Sequence, residues 1–478
     1  MSYAESKYCW LVTVLIICAA APLQSWGEDS RVYLGEECEL IMTPTKGGYL
    51  PALQISVGRA GMSSKTFYQT HVRRIFDYAD VNGDAAIDEK EFVRLPSMRD
   101  LRELSMVGVL PMLGQTLSWK QLDADSSGSV NAIELETHFR GLGYHPLLIT
   151  KVELPASGQL TESLIRQWDT NADGALSKRE IVGAVDRISG IDQNDDELIG
   201  AGELVQGLKY PGVAATRLVQ NAIGDDAKKL VGSVTPDEFL KLKVEMNSPS
   251  GLSSVEIIGH TKSAESSLKS ICAVVGQGAA RQNHEESVKW IRSVYEKADL
   301  DHNGSLESVE IDQKPDASYF AEMIRRADSN SDRCLQASEL DALLKLSEYL
   351  AADAVQVSIL TARNGLFELL DTHRDGALSR REILNAWQTL ENSGCVEGGR
   401  VIGSKIPNVV LLSVSAGPSV NLLGSPEMNL PDWFTALDRN KDGDISRREF
   451  SGSDEIWRTL DKDADGLLSS EEGRNAKP

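Results

Sequence analysis

One acidic pattern of twelve residues, repeated along the chain, constrains the fold more than any other sequence feature. Its two clearest copies occupy residues 438–449 and 461–472, so they begin 23 residues apart. In each copy, oxygen-bearing side chains stand at positions 1, 3, 5 and 12, a glycine stands at position 6 and an aliphatic residue at position 8. Two such matches within 35 residues point to a shared structural purpose and not to chance.

The spacing of these oxygens suits a calcium ion. Calcium is a hard cation that takes six to eight oxygen ligands in a flexible shell, so side chains converging from alternate positions of a tight loop can surround it. The glutamate at position 12 closes the shell with both of its oxygens. Glycine at position 6 permits a backbone turn that a side chain would oppose, and the aliphatic residue at position 8 can join two loops through a short β bridge.

The chain contains nine such loops, each named below by its first residue. Five are complete, and we predict that each binds calcium. Their candidate ligands are Asp123, Asp125, Ser127, Ser129 and Glu134; Asp169, Asn171, Asp173 and Glu180; Asp299, Asp301, Asn303, Ser305 and Glu310; Asp438, Asn440, Asp442, Asp444 and Glu449; and Asp461, Asp463, Asp465 and Glu472.

Four loops depart from the pattern, and we expect weaker binding there. Loop 371 has His373, a poor calcium ligand, at position 3, while loops 80, 192 and 328 carry Ala85, Glu197 and Arg333 where glycine belongs. Their candidate ligands are Asp371, Asp375 and Glu382; Asp80, Asn82, Asp84 and Glu91; Asp192, Asn194, Asp196 and Glu203; and Asp328, Asn330, Asp332 and Glu339. Two remnants follow the same frame. The remnant at 227–238 keeps positions 6, 8 and 12 but has no ligands at positions 1, 3 and 5, and the remnant at 394–405 keeps positions 6 and 8 but has no ligand at any of the four ligand positions.

The residues around the loops support helices on both sides. Apolar residues stand four and one positions before every loop, which is the spacing of one helix face. Position 13 is apolar in eight of the nine loops and begins the exiting helix. In three places, two loops or a loop and a remnant begin 23 residues apart: at 169 and 192, at 371 and 394, and at 438 and 461. This offset leaves 11 residues between the two. One helix must then serve as the exit of one loop and the approach to the next.

The loops and their flanks resemble the EF-hand superfamily. The many loops, the 23-residue doublets and the N-terminal segment are together similar to the secreted or periplasmic multi-EF-hand proteins of bacteria. The resemblance implies a mainly α fold of repeated helix-loop-helix units, some arranged as loop-helix-loop doublets, with minor short β segments. We expect the following segments: a signal peptide (1–27), a lead-in (28–66), EF-hand region 1 (67–246), a Ser/Gly-rich linker with possible strands (247–283), EF-hand region 2 (284–399), a β-containing linker (400–430) and a C-terminal EF-hand doublet (431–475).

Charge and the N-terminal segment limit the function classes. The formal net charge is −22, and 28 of the 71 Asp and Glu residues stand at positions 1, 3, 5 and 12 of the loops. The remaining acids are outnumbered by 49 Lys and Arg, so the acidity belongs to the loops, and nucleic acid is not an expected partner. The apolar run at 8–21 is too short for a membrane span and predicts export, with a membrane anchor as the alternative if the signal is not cleaved.

The remaining cysteines leave two alternatives open. Removal of the signal peptide leaves Cys38, Cys272, Cys334 and Cys395, which could form two disulfides or remain free buried thiols.

The leading hypothesis is a non-catalytic protein whose calcium ions stabilise the exported fold. The alternative is a calcium-responsive module for protein interaction or adhesion, with an unidentified protein partner. A third hypothesis, an enzyme with its site in the β-containing segments, has no supporting motif: there is no HExxH, and residues 398–405 lack the Gly-Lys-Ser/Thr ending of a phosphate loop.

Overall fold

A computed structural model describes residues 31–42, 52–108, 117–154, 156–208, 210, 217–218, 220–221, 239–247, 251–258, 271–276, 278–311, 317–419 and 430–476. The expected signal peptide (1–27) and the remnant at 227–238 lie outside the described residues. So does the second strand expected in the 400–430 linker, at 420–423.

Two large β-sheets organise the fold, so the expectation of a mainly α chain with minor β segments is wrong. Both sheets mix parallel and antiparallel neighbours. The six-stranded sheet has the order Gly251–Ile258, Phe239–Asn247, Ala52–Arg59, Leu40–Met42, Arg31–Leu34 and Gln220–Asn221. The five-stranded sheet has the order Ile271–Val275, Val409–Ser415, Val355–Ala362, Leu147–Glu153 and Arg217–Leu218.

The two sheets share one hydrophobic core. Leu53, Ile55 and Val244 of the six-stranded sheet belong to the same buried cluster as Val357 and Leu412 of the five-stranded sheet. The opposite face of the five-stranded sheet is also covered, because Leu360 and Leu411 belong to the core of a helical lobe. Strand Val409–Ser415 is therefore buried along its whole length, as expected for a strand that is covered on both faces.

The incorrect fold prediction has a physical origin in long-range pairing. The β segments expected from the sequence stand one at a time, within the linkers at 247–283 and 400–430. Strand Ala52–Arg59 gains its parallel neighbour, Phe239–Asn247, almost 190 residues later, with Ala52 opposite Phe239. Local periodicity can indicate a strand but not the strand with which it pairs. A strand considered alone therefore looks like a minor β segment and not like part of a large sheet.

The helices lie mainly around the loops. The α-helices are Ser64–Ala79, Glu89–Phe92, Met98–Met106, Trp119–Leu122, Ala132–Gly141, Ser157–Trp168, Lys178–Val182, Ala201–Leu204, Ala280–Ala298, Ser308–Ile311, Ala317–Ala327, Ala337–Asp353, Leu366–Leu370, Arg380–Ser393, Asp432–Leu437, Asp454–Leu460 and Ser470–Asn475. Short 3₁₀ helices occupy Val185–Gly190 and Gly403–Lys405. None of the helices in the described parts of the chain has the length and apolar character that crossing a membrane requires.

These helices form two lobes and a separate C-terminal unit. The core of the first lobe combines residues from 68–144 with residues from 291–350. The core of the second lobe combines residues from 154–204 with residues from 360–411. The C-terminal unit, here called the terminal doublet (430–475), has its own small core around Phe434 and Trp457. Each lobe thus draws on both halves of the sequence.

The structure contains free thiols where the sequence left a choice. Cys38 and Cys395 are buried and unpaired, and Cys334 is a partly exposed free thiol. Cys38 and Cys395 are buried as small apolar side chains are, so these two contribute to the packing of the cores.

A buried ion-pair network joins the first lobe to the sheet. The Asp353 carboxylate, at the end of helix Ala337–Asp353, lies 2.7 Å from Arg59 Nη1, 2.9 Å from Arg74 Nη1 and 2.8 Å from His71 Nδ1. His71 Nε2 is 2.8 Å from the Tyr144 hydroxyl. Burial raises the pKa of Asp353, but the hydrogen bond and charge of His71, with the two arginines, hold it below its ordinary value.

We predict that Asp353→Asn lowers the free energy of unfolding by about 3–5 kcal/mol, because it leaves two largely buried arginines without their counter-charge. The matched control is Asp341→Asn on the same helix, whose partner Arg292 is about half exposed. That change should cost less than about 1 kcal/mol. Urea denaturation followed by circular dichroism measures both, and equal losses would contradict the role assigned to Asp353.

Candidate metal centres

Every one of the nine loops begins as a helix ends. Eight entering α-helices end at the residue just before position 1, and the 3₁₀ helix Val185–Gly190 precedes loop 192. In all nine loops, the position-1 N–H donates to the carbonyl oxygen four residues earlier, for example from Asp80 to Phe76 and from Asp461 to Trp457, each at 2.9 Å. The apolar residue found four positions before each loop in the sequence is therefore the last hydrogen-bond acceptor of the entering helix.

All nine loops share the same backbone turn. The residues at positions 4 and 6 have positive φ angles in every loop. Glycine occupies position 6 in six loops, but Ala85, Glu197 and Arg333 adopt φ angles of 67°, 67° and 65° there. Left-handed backbone costs a residue with a Cβ roughly 1–2 kcal/mol. Loops 80, 192 and 328 thus keep the turn of the complete loops at the cost of local strain.

The turn aims backbone N–H groups at the carboxylate of position 1. In each loop the position-6 N–H donates to one oxygen of that aspartate, with N···O distances from 2.8 to 3.3 Å. Charge-assisted bonds of this kind orient a carboxylate firmly. The first ligand is therefore held in place by the polypeptide itself.

The glutamate of position 12 is held in a similar way. One of its oxygens accepts the position-9 N–H in all nine loops, at 2.8 to 3.1 Å. The other accepts the position-2 N–H in eight loops and the position-3 N–H of His373 in loop 371. In loops such as 123 and 461 this glutamate also completes a capping box at the start of the exiting helix.

The loops associate in pairs through their position-8 residues, as the aliphatic residue there suggested. Ile87 bridges to Val130, Leu306 pairs with Leu335, and Ile445 pairs with Leu468. The other two pairs cross between the halves of the sequence. Ile199 of loop 192 pairs with Leu378 of loop 371, and Leu176 of loop 169 pairs with Val401 of the remnant at 394–405.

The shared helix predicted between doublet loops takes a different form in each doublet. A single helix, Arg380–Ser393, follows loop 371 and ends at the start of the remnant. Between loops 169 and 192 the chain forms Lys178–Val182 and then the 3₁₀ helix Val185–Gly190. Between loops 438 and 461 there is only Asp454–Leu460. The three connections have the same length but form different helices, because their sequences differ.

Three loops bring their carboxylates close enough to hold one cation. The groups consist of Asp123, Asp125 and Glu134; Asp299, Asp301 and Glu310; and Asp461, Asp463 and Glu472, with ligand oxygens within 4.8 Å of one another. In the terminal doublet, Asp438 Oδ1 and Asp461 Oδ1 are buried and accept no hydrogen bond. Buried carboxylate oxygens without a donor are costly, so the all-oxygen donor set of these loops fits a calcium ion.

Loop 371 differs because a side chain that can carry positive charge, His373, stands at one of its ligand positions. His373 Nδ1 lies 3.3 Å from Glu382 Oε1, and the hydrogen bond to Glu382 raises the pKa of His373 to about 9. Burial, followed by the charges of Glu382 and Asp375, raises the pKa of Asp371 to about 7. The imidazolium thus neutralises the ligand that would close a calcium shell. Weaker calcium binding by loop 371 stays a prediction.

Loop 438 is the most enclosed of the complete loops. Asp438, Asp442 and Glu449 are all buried. Burial, followed by the neighbouring charges of Asp444, Asp438 and Glu449, raises the pKa of Asp442 to about 7. Clustered carboxylates in a poorly solvated loop repel one another, and a divalent cation among them would relieve that repulsion.

Three arginines near the loops were not identified from the sequence. Arg400, in the strand of the remnant, lies 2.6 Å from the Asp173 carboxylate of loop 169. Arg381 and Arg448, at position 11 of loops 371 and 438, reach acidic residues of other loops. For Arg381 and Arg448, the position next to the position-12 glutamate could have marked the residue as important. The partners of all three arginines lie far away in sequence.

Comparison with known proteins gives one family match. A protein-family model described as EF hand matches residues 430–451, which contain loop 438 and its entering helix. The match supports an assignment of that segment to the EF-hand superfamily, and it suggests calcium binding there. No solved structure matches the chain.

We predict that Ala85→Gly raises the free energy of unfolding of the metal-free protein by about 1 kcal/mol, because glycine adopts the position-6 turn without steric cost. Ala86→Gly, at the next position, is the matched control and should lower stability slightly, since it only increases the freedom of the unfolded chain. Urea denaturation of the two variants measures the difference. A loss of stability in both would show that position 6 is not strained.

Proposed function

We propose that the protein is a non-catalytic calcium-binding protein in which several EF-hand loops hold calcium and stabilise the fold. The observation that carries this proposal is the convergence of three carboxylates in each of loops 123, 299 and 461. Each group stands in a loop whose first and last ligands are already fixed by backbone N–H groups. A binding site that is prepared in this way loses little conformational entropy when the ion arrives.

The residues that would hold each ion follow from the loop positions. In loop 461 they are Asp461, Asp463, Asp465 and Glu472, and the corresponding residues of loops 123, 169, 299 and 438 would act in the same way. Calcium would supply positive charge where the chain has concentrated negative charge. The carboxylates themselves would fix the position of the ion. The position-8 pairing would let an ordered loop stabilise the conformation of its partner loop.

Calcium would stabilise the protein by binding only to its folded state. A ligand with this property adds RT ln(1 + [L]/Kd), or about 2.7 kcal/mol for a site at 100 times its Kd. Because the first lobe contains loops from both halves of the sequence, filled loops there would hold those halves together. Calcium would then act as a structural component of the lobes.

Calorimetric titration of the metal-free protein, accompanied by circular dichroism, tests the proposal. We expect at least five calcium ions for each chain and an increase in thermal stability as they bind. Magnesium is the appropriate control ion, because it demands a rigid octahedral shell and gives up its water reluctantly. Fewer than four calcium ions would contradict the proposal.

A single substitution assigns one of these ions to its loop. We predict that Glu472→Gln reduces the number of bound calcium ions by one, because it removes the bidentate carboxylate while retaining the shape of the side chain. Glu471→Gln, the adjacent residue at position 11, removes the same charge and is expected to leave the number unchanged. An unchanged count in Glu472→Gln would show that loop 461 does not bind calcium.

A second candidate function is a calcium-responsive module whose surface changes when the loops fill. The observation that favours it is the set of ion pairs between the terminal doublet and the second lobe, since these pairs involve loop residues. Loss of such contacts on calcium binding would expose new surface to a protein partner. Measurement of apolar dye binding with and without calcium separates this candidate from a purely structural role.

A further inference from the structure

The terminal doublet rests on the second lobe through a polar interface that is built from loop residues. Arg381 of the second lobe contacts Asp444 and Asp465 of the terminal doublet. In the opposite direction, Arg448 of the terminal doublet contacts Asp195 and Glu197 of loop 192. Four loops therefore meet at one interface, and two arginines at position 11 connect them.

The Arg381 contacts have the geometry of a strong ion pair. Its Nε lies 2.8 and 2.7 Å from the two carboxylate oxygens of Asp444, and its Nη1 lies 2.6 Å from Asp465 Oδ2. The side chains of Arg381 and Asp444 are 21% and 5% exposed. Removal of one member of such a partly buried group leaves the other charges poorly compensated.

The two partners of Arg381 have different relations to calcium. Asp444 stands at position 7, where the EF-hand ligand is the backbone carbonyl oxygen, so its side chain is free to serve the interface. Asp465 stands at position 5, where the ligand is the side chain itself. One Asp465 oxygen, Oδ1, already accepts the Leu467 N–H at 2.9 Å. The other oxygen, Oδ2, is the one that Arg381 occupies.

Three of the four acidic side chains at the ligand positions of loop 461 form one converging group. Asp461, Asp463 and Glu472 converge, while the fourth acidic ligand position, Asp465, is paired with Arg381 of another lobe. A calcium ion that takes Asp465 Oδ2 as a ligand competes with the guanidinium for that oxygen. Arginine cannot yield by losing its proton at ordinary pH, so it must move away.

The remaining contacts do not involve the side-chain ligands of loop 461. Arg448 Nη2 lies 2.9 Å from both Asp195 oxygens, and its Nε lies 3.3 Å from Glu197. The Asn440 side chain donates to the Asp196 carbonyl oxygen at 2.9 Å. These contacts also give Glu197, the strained residue at position 6 of loop 192, a role in the interface.

We propose that Arg381 is a tethered cation that competes with calcium for Asp465, so that calcium binding in loop 461 loosens the terminal doublet from the second lobe. The proposal rests on the proposed calcium binding by loop 461. Because such coupling is reciprocal, docking of the doublet weakens calcium binding by the same factor by which calcium weakens docking.

Arg381→Gln tests the competition, with Arg380→Gln as the matched control. Arg380 is the preceding residue on the same helix and is exposed, so its substitution removes the same charge without touching the interface. Calorimetric titration of the full chain should show one site that binds calcium about tenfold more tightly in Arg381→Gln than in the control. Equal affinities in the two variants would overturn the proposal.

Small-angle X-ray scattering of the unsubstituted protein provides a test that does not depend on an interface variant. Calcium should increase the radius of gyration as the terminal doublet loosens, and Glu472→Gln should abolish that part of the increase, whereas Glu471→Gln should retain it. Identical scattering changes in all three proteins would overturn the coupling.

Calcium binding by loop 461 and its competition with Arg381 are refuted by different results. If Glu472→Gln does not change the number of calcium ions bound, loop 461 is not a site, and both the proposed function of this loop and the coupling fall. If Glu472→Gln removes one ion but Arg381→Gln binds as the control does, calcium binding stands and only the competition is refuted.

Discussion

The pairing of loops through their position-8 residues is the constraint on which the arrangement of this protein depends. Each pairing is a short β bridge, yet it fixes which entering helices can lie side by side. Two pairings, Ile199 with Leu378 and Leu176 with Val401, join segments about 180 or more residues apart. The second lobe therefore requires both halves of the chain to come together. The remnant at 394–405 meets the same constraint, because Val401 pairs with Leu176 although the remnant has no ligand residues.

The sequence predicted local features of the loops well. The ends of the entering helices, the turn at position 6 and the pairing residue at position 8 are all marked by residues within one loop and its flanks. The sheets depend on partners far away, and the strand Val355–Ala362 obtains them from Leu147–Glu153 and Val409–Ser415. A short apolar run does not show which strand it will pair with. The prediction of a mainly α fold was wrong for this reason. The arginines at the loops were missed for the same reason. Position 11 marks Arg381 and Arg448 but does not identify their partners, and only the fold brings Asp173 to Arg400.

Positive side chains near the loops show how the chain tolerates its concentrated negative charge. His373 pairs with Glu382 inside loop 371, Arg400 pairs with Asp173, and Arg381 pairs with Asp444 and Asp465. Each is a cation attached to the protein and placed where carboxylates crowd. A calcium ion would do the same work with greater charge and more ligands. Loop 461 combines two features, because Asp461, Asp463 and Glu472 converge on one another while Asp465 is paired with Arg381.

The location of calcium in a crystal of the protein tests the central claim most directly. Anomalous X-ray scattering identifies calcium without assuming which residues bind it. Our account predicts a peak between the position-1 and position-12 carboxylates in each of loops 123, 169, 299, 438 and 461. Loops that contain only water in a crystal grown with ample calcium would contradict the account.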